Sequence, residues 1–115
     1  MPQGNTLNAV TYGNSTFAAV GAAGTILTSV NGITWTSRTS GTTNTLYGVT
    51  YGNGKFVVVG GGDSGGTILT SADGIAWTSR TSGTTSTLSG VTYGNSTFVT
   101  VGESGTILQS DPVKS

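Results

Sequence analysis

The residues that could do chemistry are few, and each has to be weighed by what surrounds it. Gly62-Asp63-Ser64-Gly65-Gly66 spells a Gly-rich loop of the kind that carries a serine nucleophile. A nucleophilic serine needs a base to take its proton, in most triads a histidine. The 115-residue chain has no His, so Ser64 is read as part of a Gly-rich turn, not as a nucleophile. There is no Cys either, which removes thiol chemistry, disulfides and zinc-thiolate sites and leaves the redox compartment open. Gly61-Gly62-Asp63 starts like a calcium-binding nonapeptide repeat, but those sites need tandem copies, and none follow. No catalytic residue, metal or cofactor is expected.

What remains is a small set of polar residues suited to binding. Arg38 and Arg80 occupy equivalent places in a repeat, and guanidinium groups can converge on a carboxylate. Asp63, Glu103 and Tyr47 fall at or beside the same kind of connection. Repeated Thr, Ser and Asn side chains near Tyr47 could bond sugar hydroxyls, and identical units would multiply a weak site. These five residues are the candidate ligand-binding set. Asn14-Ser15-Thr16 and Asn95-Ser96-Thr97 fit the glycosylation sequon, but a hairpin turn explains both.

Composition narrows the partners. Four basic and four acidic residues give a net charge of zero, so there is no electrostatic footprint for nucleic acid or an anionic membrane. No apolar run approaches the length of a membrane-spanning helix, and Met1-Pro2-Gln3-Gly4 does not read as a signal peptide. The compartment stays unassigned, cytoplasmic as the chain stands.

The elements that position these residues come from an internal repeat. Leu7, Leu46 and Leu88 open equivalent units, 39 and then 42 residues apart. The added length sits where Gly60 to Gly66 replaces the shorter Gly21-Ala22-Ala23-Gly24. The units run over about 7–45, 46–87 and 88–111 of a single repeat domain. In the second unit four strands are expected. Leu46 to Tyr51 is closed by the hairpin signal Gly52-Asn53-Gly54. Phe56 to Val59 is a continuous apolar run, the pattern of a strand buried on both faces. Thr67 to Ser71 follows, then Ala76 to Thr81 with Trp77 as its large apolar anchor. The third unit supplies Leu88 to Tyr93, Thr97 to Val101 and Thr106 to Ser110, then Pro112 interrupts the pattern. Eleven strands and no helix make the chain all-β.

Between strands three and four the units repeat a turn, Ser71-Ala72-Asp73-Gly74-Ile75-Ala76-Trp77 and, in a variant, Ser29-Val30-Asn31-Gly32-Ile33-Thr34-Trp35. An Asp or Asn side chain accepts backbone N–H groups across its own turn, and Gly takes a positive φ at low cost. Ser29, Asn31, Gly32, Trp35, Ser71, Asp73, Gly74 and Trp77 are therefore expected to be structural. This pattern, with Phe56-Val57-Val58-Val59-Gly60 and Gly66-Thr67-Ile68-Leu69 before it, resembles the Asp-box (BNR-like) β-propeller repeat. Such repeats occur in sialidases, photosystem-assembly factors and many bacterial proteins of unassigned role. The family's box carries one more residue between Asp and Gly, so this is a shortened form.

The resemblance covers nearly the whole chain and implies blades of four antiparallel strands. A propeller closes with about four to eight blades, and three units fall short. Self-association is the expected remedy, with two chains giving six blades (favoured) and three giving nine. A β-trefoil complete in one chain is the competing fold. The resemblance does not bring a sialidase's arginine cluster with it, so a glycosidase-like enzyme is the weakest reading. A non-catalytic binding module, lectin-like in its polar surface, stands first. A purely structural scaffold, natural or engineered, stands second. Strand order divides the loops between two faces. Asp63, Glu103, Arg38, Arg80 and the linkers Ser40 to Thr45 and Ser82 to Thr87 share one; Lys55 and the boxes share the other.

Overall fold

The structure is a computed structural model that describes residues 6–42, 44–52, 54–62, 65–74, 76–80, 87–94, 97–103 and 107–109. Runs of Thr, Val, Tyr and Phe cut by Gly-rich turns favour short strands. Each repeat makes one antiparallel sheet whose strands lie in chain order. The first sheet holds β1 (Leu7–Gly13), β2 (Thr16–Gly21), β3 (Thr25–Ser29) and β4 (Thr36–Arg38). The second holds β5 (Thr45–Gly52), β6 (Lys55–Gly62), β7 (Gly65–Ser71) and β8 (Thr78–Arg80). The third holds β9 (Leu88–Gly94), β10 (Thr97–Gly102) and β11 (Ile107–Gln109). A 3-10 turn at Ala22–Gly24 joins β2 to β3.

Two expectations change. Strand four does not begin at Ala76: β8 starts at Thr78, and β4 likewise starts only at Thr36. The residues before them belong to the turn, so Trp77 precedes its strand; its indole N–H donates to the Gly74 carbonyl at 3.1 Å. The trefoil also fails. Every strand pairing among the described residues stays within one repeat, whereas a trefoil builds its barrel by pairing strands of different repeats.

Each sheet carries the same irregularity where its first two strands separate, with register shifts between Leu7 and Ala9, Leu46 and Gly48, and Val101 and Gly102. There the Ala22 N–H donates to the Thr6 carbonyl and the Glu103 N–H to the Thr87 carbonyl, both at 2.9 Å. A Cβ on Gly21 or Gly60 would stand 2.8 Å from the Cα of Leu7 or Leu46. Only glycine permits that backbone approach, so this position is Gly in every unit.

The sheets pack in chain order, first on second and second on third, closest between β1, β5 and β9. Val20 and Ile26 of the first sheet meet Leu46, Val49, Val58 and Leu69 of the second. Val57 and Val59 on the opposite side of β6 meet Leu88 and Phe98 of the third. Phe56 to Val59 is accordingly buried throughout, as the unbroken apolar run implied. Within each sheet a cross-strand Tyr–Phe pair recurs, with centroids at 4.6 Å for Tyr12–Phe17 and 4.7 Å for Tyr51–Phe56 and Tyr93–Phe98. Such pairs contribute about 0.5–1.5 kcal/mol beyond their burial.

Candidate functional site

The candidate site is built on the repeated turn. In the first sheet Ser29 ends β3 and its hydroxyl accepts the Gly32 N–H at 2.9 Å while donating to Asn31 Oδ1 at 3.0 Å. Asn31 Oδ1 also accepts the N–H groups of Ile33 (2.8 Å) and Thr34 (3.0 Å). The second sheet repeats the arrangement. Ser71 Oγ accepts the Gly74 N–H at 2.7 Å and donates to Asp73 Oδ1 at 3.1 Å, which takes the Ala76 N–H at 3.1 Å. Gly32 and Gly74 sit at φ 78° and 80°, the left-handed region that glycine enters freely. The rings of Trp35 and Trp77 then lie 6.4 and 6.2 Å from Phe17 and Phe56. In both turns the polar atoms hold backbone N–H groups.

These two turns also border an open groove of about 240 Å³ between the first and second sheets. Asn31, Thr34 and Thr36 of the first sheet line one part and Asp73 of the second sheet another. Thr16 and Thr28 are also in its walls, where a Cβ on Gly74 would lie 3.8 and 3.7 Å from their methyl groups. Arg38 completes it. Its Nε donates to the buried Thr28 hydroxyl at 2.9 Å, which fixes the guanidinium at the groove wall. A guanidinium held beside threonine hydroxyls presents donors and acceptors within one small volume.

The five expected binding residues do not converge. The structure brings Arg38 into this groove, alongside the boxes, although strand order assigned it to the opposite face; its side chain runs back along β3 to Thr28. Tyr47 is exposed at the irregular start of β5, and Glu103 is exposed just after β10. Neither lines the groove. Arg80 ends β8 opposite Ile68, and its side chain lies outside the described structure. Asp63 lies outside the described residues. Thr28 was missed by sequence reasoning. Its signal was available: it shares a strand face with Ile26, two residues away, so a hydroxyl stands where the pattern calls for an apolar side chain.

Among the described residues no group of three His, Cys, Asp or Glu side chains gathers in one place. No buried side-chain nitrogen or oxygen among them lacks a hydrogen-bond partner. Neither the protein-family models nor the curated proteins contain a match to this chain.

Proposed function

We propose that this chain is an Asp-box-type β-propeller segment that completes its ring with a second copy and serves as a non-catalytic, lectin-like binding module. The observation that carries the architecture is the order of the sheets. Three meanders pack face to face in chain sequence, nearest along their first strands β1, β5 and β9. That is how blades sit around an axis. The repeated Ser–Asp/Asn turns, with Ser71 and Ser29 holding the backbone of each box, support the family resemblance.

The binding role rests on the groove between the first two sheets. Its hydroxyls and the Arg38 guanidinium fit a carbohydrate, and Thr70 and Arg80 stand at the equivalent places in the second unit. A glycan array probed with the purified protein tests this. Retention of specific glycans is expected, with at least a tenfold loss in Arg38→Ala; circular dichroism would check that the variant is folded. If nothing is retained at any glycan density, the binding role is wrong. The scaffold reading would then take its place, favoured by the commitment of Asn31 and Asp73 oxygens to their own turns.

A further inference from the structure

We propose that a second copy of this chain docks head to tail on the open face of the third sheet, seating its Tyr12 ring on Gly94. This rests on the ring reading above and assigns its joint. Every unit ends its first strand with Tyr-Gly: Tyr12-Gly13, Tyr51-Gly52 and Tyr93-Gly94. At both joints within the chain, the glycine of one sheet is covered by the tyrosine of the next. A Cβ built on Gly13 would stand 2.7 Å from the Tyr51 Cβ, and one on Gly52 would stand 2.8 Å from a Tyr93 ring carbon. The glycine is there because the ring needs its space. At Gly94, among the described residues, nothing comes within 4 Å of the same position.

The matching half of this unused joint is on the first sheet. Tyr12 is 56% exposed, while its counterparts Tyr51 and Tyr93 are half-buried. Val10 beside it is 61% exposed, against 9% for Val49 at the equivalent place in the second sheet. The third sheet shows the complementary defect. Val101 and Ile107, a cross-strand pair, are 46% and 69% exposed. Their counterparts Val20 and Ile26, also a cross-strand pair, are fully buried against the next sheet. So one end of the stack has the tyrosine and valine of an interface, and the other has the glycine and aliphatic pair that receive them. None of these residues is charged. The partner that carries this exact shape is another copy of the chain, because its first sheet offers the face that the second and third already use. Such a contact is heterologous, and it ends in a closed ring when the rotation per chain divides a full turn.

The chain lacks Cys, so engineered thiols report the joint without background. Tyr12→Cys and Gly94→Cys are placed on separate chains and mixed under mild oxidation. The Cβ spacing at the Gly13–Tyr51 joint is close enough that a small relaxation reaches the roughly 3.5–4.5 Å of a disulfide. A covalent dimer is expected in the mixture, with far less in either variant alone. Gly94→Trp, which fills the receiving site at an open position, should weaken association at least tenfold by light scattering. If the chains associate yet the mixture does not cross-link and Gly94→Trp associates normally, this joint is wrong while the ring reading survives. If the unaltered chain does not associate at all, both are wrong.

Discussion

Phe56→Ala is expected to lower the unfolding free energy by about 3–5 kcal/mol, the usual range for deleting a fully buried aromatic ring. Phe56 is completely buried in the central sheet, with Tyr51 packed edge-on at 4.7 Å and Trp77 at 6.2 Å. Its ring also lies under the second box, where a Cβ on Gly74 would be 3.5 Å away. Removal therefore leaves a cavity beneath the turn and releases two aromatic partners. Phe17 occupies the equivalent place in the first sheet but is only half-buried, so Phe17→Ala in dilute protein should cost clearly less. Urea unfolding followed by tryptophan fluorescence measures both. Equal losses, or a loss below about 1 kcal/mol at Phe56, would contradict the central position of the second sheet.

Gly52→Ala carries the second large effect. A single methyl group normally matters little on a strand, and alanine is the better strand residue on entropic grounds. Here Gly52 is buried, and its added Cβ would stand well inside van der Waals contact with the Tyr93 ring, 2.8 Å from one carbon. Tyr93 cannot swing away freely because it is paired with Phe98 at 4.7 Å in the third sheet. Overpacking of this kind costs about 1–3 kcal/mol, and the third sheet should be the part that loosens. Hydrogen exchange is the readout: faster exchange is expected in β9 and β10, with β1 to β3 little changed. A neutral result would mean that the second and third sheets are not joined through this tyrosine.

Much of this fold is legible in the sequence because its signals are local. The Leu7, Leu46 and Leu88 spacing, the apolar run at Phe56 and the Gly-rich turns each act within a few residues, and the strands appear where those signals place them. Strand four starts later than the residue type of Trp77 suggests, because its indole N–H is committed to the turn through the Gly74 carbonyl. The groove was hidden for a different reason. Arg38 lies on the last strand of its sheet, and which way its long side chain runs depends on Thr28 across the register, not on its own neighbours. The Tyr-Gly repeats were visible as letters but had no meaning until the sheets were stacked. Tyr51 covers Gly13 from the next repeat, a contact that no local pattern encodes.

The central claim is that the open ends of this three-sheet stack close on another copy. Native mass in solution, measured by light scattering on a sizing column across a range of concentrations, tests it most directly. A dimer of the 11.4 kDa chain is the predicted result, giving six sheets in one ring. A compact, stable monomer at every concentration would contradict it.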